Sequence, residues 1–375
     1  MIAVENRKNS GVLQTIKRSL HSTAKWLKSF VNGIFRNRRV RDMDRLYLSL
    51  CRPATEGGLS SEQHRSIDSF YSKYKKVRHN SHIFYKSKTG FFYKEFIPDS
   101  LYSNYIDQFY NDWHLAGILD NKCYYPRLFS GVNQPEMIAY RLNGFWYDKT
   151  GQIFQFDDAV KRIMCVDECF IKKATNSWGG KGVIYCRPSE STVDEIIKHL
   201  GSVPVDLVVQ AAIKQSPILS AINKDSVNTV RLLSLLRNDG TVKIYSCVLR
   251  MGVKGSKVDN ASSGGISVGI SEDGSLKEIA FSNTGVKYYE HPSTHVKFCD
   301  FSIPNFNKMK QIVTELQPQF PHFRLIGWDM ACDENNEPVL IEANLCDSEL
   351  DFHQLNNGPV FGEDTELILQ EVFGK

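Results

Sequence analysis

Apolar positions along this chain change period more than once, and each change marks a different kind of element. Leu13, Ile16, Leu20, Leu27, Val31 and Ile34 recur at the spacing that lines one face of an α-helix. A helical pattern continues through about 60–80, where Ser60, Ser61 and Glu62 form a start signal, and the aromatic stretch His82–Phe96 follows. From about residue 100 helical and strand periods alternate. Ser100–Ala116, Asp157–Met164, Val193–Leu200 and Phe306–Leu316 predict helices. Short β-branched and apolar runs predict strands at Glu168–Lys172, Asp206–Ala211, Val230–Leu236, Val242–Leu249, Gly265–Ile270, Leu325–Met330 and Pro338–Ala343. Phe145–Phe154 predicts a hairpin turning at Asp148–Gly151, and the polar turn Asp333–Glu337 joins the last two strands. No repeat or low-complexity segment interrupts this order.

Composition narrows the class without naming it. At 375 residues, with 42% hydrophobic and 23% charged, the chain buries a proper core in two or three packed lobes. A net charge of +4 is too small to argue for nucleic acid as a partner. The 9 cysteines are odd in number and none stands in CxxC or CxxH spacing, which favours reduced core thiols in a cytoplasmic protein over disulfides or zinc. No run reaches the roughly 18 apolar residues that span a bilayer, and the polar N-terminus does not read as a cleavable signal peptide. Charge is uneven, however. Residues 1–48 hold eleven Lys or Arg against three acids, on the same segment as the apolar stripe. Such a helix either lies on the anionic inner face of a membrane as a peripheral contact or packs its stripe on the protein body; the second is preferred.

The sharpest chemical signal lies near the carboxy end. Asp329 and Glu342 each interrupt an apolar strand, and Asn344 follows Glu342 on the same face of its strand. If the two strands pair about a turn centred on Asn335–Asn336, Asp329 falls opposite Glu342. Two anions so placed repel each other and call for a cation, and oxygen donors of this kind suit Mg²⁺, which keeps some waters and takes other ligands from phosphates. A second signal is the stretch 171–183. A strand delivers Lys172 and Lys173, and Gly179, Gly180, Lys181 and Gly182 follow; glycines let backbone N–H groups approach a phosphate and lysines supply point charges. The loop matches neither the P-loop nor the GxGxxG pattern.

Taken in order, these motifs resemble the ATP-grasp superfamily, in particular the group associated with sugar transfer and bacterial polysaccharide biosynthesis, and more loosely the glutamate-ligase branch. The resemblance rests on Ile171-Lys172, Gly179–Gly182, the strand 208–213, the segment 226–231 ending in Arg231, the segment 258–265, Gly327–Asp329 and Ile341–Asn344. It covers roughly 115–365. The fold it implies is α/β (α+β): two α/β lobes gripping ATP, preceded by a helical N-terminal extension. The domains expected are the extension at 1–95, a pre-ATP-grasp segment at 96–160, a lid subdomain at 161–214 and a C-terminal subdomain with the Mg²⁺ site at 215–375.

The same resemblance implies roles residue by residue. Lys122 and Lys172 reach the nucleotide phosphates, under a lid of Gly179, Gly180, Lys181 and Gly182. The hinge of Gln210, Ala212 and Ile213 holds adenine through its backbone. Asp329, Glu342 and Asn344 hold Mg²⁺ on the β- and γ-phosphates, Arg231 and Arg250 face the transferring phosphoryl group, and Asn260 and Gly265 shape the acyl-phosphate pocket. Phosphoryl transfer needs placement and cancellation of spread negative charge, which these groups supply. Three departures stand out: Lys173 replaces the usual proline, Gln210 and its neighbours replace an acidic hinge, and Leu345–Ser348 replaces proline-glycine. Cys346 is expected to be a small buried thiol rather than a nucleophile. In the polar tail after Asn344, Asp351, His353, Gln354 and Asn357 are candidates to bind an amine or sugar hydroxyl, with His353 a candidate base. Equally, the tail is a capped loop packing on the protein body and His353 a hydrogen-bonded structural residue. The expected activity is an ATP- and Mg²⁺-dependent ligase joining a carboxylate to an amine through an acyl phosphate, with small-molecule substrates such as an amino acid and a sugar carboxylate. The alternatives are a kinase of a hydroxylated small molecule and a non-catalytic nucleotide-binding module. The oligomeric state is not legible.

Overall fold

The computed structural model describes residues 58–175, 182–253, 255–256 and 264–374, with 38, 41–42 and 45–51. The expected amphipathic stripe at 13–34, the lid residues Gly179, Gly180 and Lys181, and Asn260 lie outside the described residues.

Two antiparallel sheets organise the chain. The smaller contains β1 (Met137–Leu142), β2 (Phe145–Tyr147), β3 (Ile153–Phe154), β4 (Cys169–Lys173), β5 (Ile184–Cys186) and β6 (Leu207–Ala211), in the order β3-β2-β1-β6-β4-β5. Helices Phe156–Met164 and Val193–Ser202 cover one face, burying Ala159, Ile163, Ile196 and Leu200 against Cys169, Ile171 and Val209. Thr192 caps the second helix, its side chain accepting from the Glu195 backbone while Glu195 accepts from the Thr192 backbone. The expected hairpin at 145–154 is β2–β3. Strands β1–β3 come from the stretch assigned to a pre-ATP-grasp segment, yet they join the sheet of β4–β6, so this lobe reaches back to Met137.

The larger sheet contains β7 (Thr229–Leu236), β8 (Val242–Met251), β9 (Ile266–Ile270), β10 (Leu276–Ser282), β11 (Lys287–Tyr288), β12 (Leu325–Cys332) and β13 (Pro338–Asn344), in the order β11-β10-β9-β8-β7-β12-β13. Every residue of β7 and β12 is buried, because both faces of the sheet are covered. That is why both strands read as nearly unbroken apolar runs in sequence. On one face Met309, Val313 and Leu316 of the helix Phe306–Leu316 pack on Val230, Leu232, Trp328 and Met330. On the other, Leu233, Leu235 and Leu325 meet helices Ser61–Tyr71 and Thr365–Phe373 and the helical stretch 99–110. Further along that second face the side chains turn from apolar to charged, with Arg231 on β7 and Asp329 on β12.

Two helical expectations are corrected. The single helix expected at Ser100–Ala116 is broken into Asp99–Leu101, a π-turn Tyr102–Ile106, Asp107–Tyr110 and Trp113–Leu119. The break falls at Asn111, which is extended and pairs with Phe323, while its Nδ2 donates to the Leu325 carbonyl at 2.7 Å. Docking Asn111 on the sheet outweighs local helix propensity. The helical pattern of 60–80 ends at Tyr71, and a separate helix, Asn80–Thr89, lies in the stretch read only as aromatic. Its Phe84 and Tyr85 pack with Tyr47 and Phe96, and Gly90 closes it at φ +88°, a left-handed conformation that glycine takes at least cost.

This N-terminal layer contains a titrating element. His82 is fully buried, and its Nε2 lies 3.2 Å from the Lys94 carbonyl, so Nε2 carries the proton and donates. Burial pulls its pKa down from 6.5 to about 4. A depressed histidine pKa means that the unfolded chain takes up the proton first as pH falls. Stability from this group is therefore complete above pH 6.5 and lost on descent toward the folded value, by about 3 kcal/mol. Urea unfolding at a series of pH values should show this loss between roughly pH 6.5 and 4. His82→Gln should remove that component of the slope.

Candidate functional site

The charged end of the larger sheet is built by register. β12 pairs with β13 so that Asp329 stands opposite Glu342 and Gly327 opposite Asn344, and β12 pairs with β7 so that Asp329 also stands opposite Arg231. Residues directly opposite in an antiparallel pair share a face. Arg231, Asp329 and Glu342 thus form a row across three strands. Arg250 on β8 lies two residues beyond Val248, the partner of Arg231, and so joins the same face.

The contacts follow from that row. Arg231 makes a two-pronged ion pair with Asp329, Nε to Oδ1 and Nη2 to Oδ2 at 2.9 Å, and Arg250 Nη1 lies 3.6 Å from Asp329 Oδ2. Asn344 Nδ2 donates to the Gly327 carbonyl at 2.9 Å and to Asp329 Oδ2 at 3.3 Å, which leaves its amide oxygen as the atom for a cation. Lys122 Nζ donates to Glu342 Oε1 at 2.6 Å. Burial opposes ionisation of Asp329, but Arg231 and then Arg250 overcome it and hold its pKa below the usual carboxylate range. Burial likewise works against the Lys122 ammonium, and Glu342 more than offsets it, raising its pKa.

The surroundings fix these groups tightly. A Cβ on Gly327 would stand 2.7 Å from Ser348 Oγ and 3.4 Å from Arg231 Cδ, so only glycine leaves room for both. The Phe352 ring lies under both guanidiniums, 5.6 Å from Arg231 Cζ and 5.8 Å from Arg250 Cζ. Asp107, next to the π-turn, accepts from Trp113 Nε1 at 2.6 Å and from the backbone of Asp347, whose φ is +55°. The helical stretch 99–110 thereby pins the loop that follows Asn344. Nothing in the local sequence pointed to Phe352 or Asp107; their roles arise from packing across the chain.

The smaller lobe carries Lys172 on β4. Lys172 Nζ donates to Gln210 Oε1 at 3.3 Å and lies 5.3 Å from the Phe170 ring. Two residues on, the Ala174 carbonyl accepts from the Lys122 backbone N–H at 2.9 Å, so Lys122 links β4 to the metal-type carboxylates of the larger sheet. The hinge strand ends at Ala211, and the Ala212 N–H is already given to the Glu168 carbonyl at 2.9 Å. Ile213 follows outside the strand, Gly182 adopts φ +79° at the described edge of the lid, and Gly265 is buried just before β9.

The tail after Asn344 packs on the protein body, as a helix rather than a loop. It forms the helix Asp351–Asn357, which covers the polar face. Gln354 is fully buried with its amide on both backbone groups of Ile97, and Asn357 Nδ2 donates to Ser246 Oγ and the Cys247 carbonyl. His353 is fully buried, 2.8 Å from Ser246 Oγ, and burial together with Arg231 and Arg250 keeps it neutral. These three side chains hold the helix in place through internal hydrogen bonds, and His353 is a poor proton acceptor. Burial pushes the Cys346 thiol up, so it stays protonated. Asp351 and Asn357 of that group remain partly exposed.

The oxygen donors fit a hard divalent ion that draws the rest of its shell from elsewhere. Among the described residues no group of three or more His, Cys, Asp or Glu side chains stands ready to hold a metal. Two carboxylates and one amide oxygen do not close an octahedron, whereas phosphate oxygens and water do.

The Arg231–Asp329 pair also sets a stability expectation. Both side chains are more than nine-tenths buried. Arg231→Met should cost about 3–5 kcal/mol in denaturant unfolding by leaving a buried carboxylate without its main partner. Adding Asp329→Asn should recover part of that loss.

With the geometry in place, comparison with known proteins is informative. Residues 101–369, well over half of the chain, match the family described as sugar-transfer associated ATP-grasp. Similar solved structures include the biotin carboxylase domain of the Hydrogenobacter thermophilus 2-oxoglutarate carboxylase, at 11% identity and TM-score 0.43, covering 70% of this chain and 47% of that one. D-cycloserine synthetase DcsG matches at 12% identity and TM-score 0.41, covering 69% of this chain and 73% of its own. The ATP-grasp ligase PsnB matches at 13% and 0.41, covering 70% and 64%. No curated protein matches the sequence. The chain belongs to the sugar-transfer associated ATP-grasp family.

Proposed function

We propose that this protein is an ATP-dependent carboxylate–amine ligase, which phosphorylates a carboxylate with ATP and passes the acyl group to an amine. The observation that carries this reading is the row Arg231–Asp329–Glu342, with Asn344 beside it and Lys122 and Arg250 on its flanks. Carboxylates and an amide oxygen suit Mg²⁺ on a polyphosphate, and cations flanking them suit the charge that develops in phosphoryl transfer. In this reading Asp329, Glu342 and Asn344 hold Mg²⁺, which when bound polarises the β- and γ-phosphates. Lys122 and Lys172 bind the phosphates under the lid of Gly179, Gly180, Lys181 and Gly182. Gln210, Ala212 and Ile213 border adenine, with the Ala212 N–H committed to Glu168 and the contacts falling to the remaining backbone groups.

Arg231 and Arg250 then face the acyl phosphate, whose carbonyl carbon the amine attacks as phosphate leaves. Asn260 and Gly265 line that pocket. Membership in a sugar-transfer associated family supports a sugar carboxylate as the acid and an amino acid or similar small amine as its partner, in polysaccharide biosynthesis. The pair Arg231 and Arg250 suits an anionic substrate.

Mass spectrometry of ATP incubations with pooled amino acids and uronic or amino sugars tests the proposal. An amide should form, with ADP released only when both acid and amine are present. A stable phosphate ester made from one acceptor would identify a kinase instead. Glu342→Ala and Lys172→Ala should each reduce ADP release by at least about 100-fold. Both should keep the far-UV circular dichroism of the parent, and normal turnover by Glu342→Ala would sink the metal assignment.

A further inference from the structure

Three of the carboxylate oxygens suited to a metal are already held by the protein's own cations. Arg231 engages both Asp329 oxygens, and Arg250 stands 3.6 Å from one of them. Lys122 Nζ sits 2.6 Å from Glu342 Oε1, with the Lys122 side chain only 5% exposed. A divalent ion arriving alone would have to share the Glu342 carboxylate with the Lys122 ammonium on Oε1, or else displace that ammonium from it. Displacement would leave a buried ammonium without its main counter-charge, a costly state. The ion would also approach a cluster in which three protein cations accompany the two carboxylates, with Asp120 beside Lys122 and Glu349 beside Arg231 as further anions. A polyphosphate changes this balance, because its oxygens give Lys122 a new partner at the moment Glu342 is released.

We propose that Lys122 is a latch that couples metal binding to nucleotide binding: without nucleotide it occupies Glu342 and excludes the divalent ion, and with nucleotide it moves to phosphate and frees Glu342. This rests on the ligase reading of the site only in so far as that reading puts a metal–nucleotide complex there. The backbone supports such a swing without a change of fold. Lys122 is anchored through its N–H on the Ala174 carbonyl, in the lobe that also carries Lys172, while the carboxylate it holds belongs to the other sheet. One side chain therefore reads the presence of nucleotide and reports it to the metal ligand.

The test is Mn²⁺ binding followed by the electron paramagnetic resonance signal of the free ion, on the full chain, with and without an ATP analogue bridged by a β,γ-imido group. The parent protein should take up Mn²⁺ at least about tenfold more tightly with the analogue than the analogue itself accounts for, and only weakly without it. Lys122→Met should bind Mn²⁺ without nucleotide at least about tenfold more tightly than the parent, while Lys122→Arg should behave as the parent. Equal Mn²⁺ affinity of the parent with and without analogue would overturn the latch, as would a folded Lys122→Met that binds Mn²⁺ no better. Should Lys122→Met not fold, the parent titrations alone decide. Calorimetry with the analogue and Mg²⁺ separates the two ideas: no nucleotide binding removes the ligase reading, whereas nucleotide and Mn²⁺ binding independently removes only the latch.

Discussion

Two carboxylates stand side by side on neighbouring strands, at the covered face of a sheet, and the arrangement around them answers that constraint. Asp329 and Glu342 are brought together by the β12–β13 pairing, in which the tight turn at 333–337 sets Cys332 against Pro338 and an irregularity between Asp329 and Met330 shifts the register by one residue. Like charges so close in a poorly hydrated setting need cations with short reach and good geometry. Arg231 satisfies Asp329 from the opposite strand, with a planar fork that matches the carboxylate atom for atom. Lys122 satisfies Glu342 from a different part of the chain. The absence of a side chain at Gly327 and the Phe352 ring beneath both arginines are the packing consequences.

Such a layer is not what stability alone would select. Buried ion pairs are often matched or exceeded in stability by apolar residues of similar volume. The same face of β7 shows the alternative, since Leu233 and Leu235 follow Arg231 at two-residue steps and pack against helices. On β12, Leu325 stands at the apolar end and Asp329 at the charged end. The face is therefore divided along its strands: one end is closed by apolar helices, the other by the polar helix Asp351–Asn357. A local violation of the burial pattern that the rest of the strand obeys is the trace of a function.

That division also decides what could be read in the sequence. The carboxylate pairing was expected from a short turn and a two-residue period, both local. The strands, however, leave the turn one residue out of that register, and an irregularity between Asp329 and Met330, which no local pattern announces, sets Glu342 opposite Asp329. Although β10 and β11 were not read, the other five of the seven strands of the larger sheet and the helix Phe306–Leu316 were legible from local period. The broken helix at 99–119 was not, because Asn111 leaves the helix to bond with Leu325, more than two hundred residues away. The helix Asp351–Asn357 was read as a polar loop since its polar residues are buried against Ser246, Ser267 and Ile97, partners that no local pattern announces. His353, Gln354 and Asn357 looked like ligand-binding groups because a polar side chain carries the same signature whether it faces a substrate or a backbone amide. Matching donors to acceptors across the fold is what separates the two cases.

Lys122 draws these threads together. In sequence it is one lysine beside Asp120 and Asn121, with no periodic pattern to mark it. In the fold its main chain belongs with β4 and its ammonium with β13, so it spans the two sheets that an ATP-grasp protein closes around a nucleotide. A charge shared between lobes in this way is sensitive to anything anionic that enters between them. In the proposed reading, the contact between Lys122 and Glu342 is the one that a triphosphate entering between the lobes would replace.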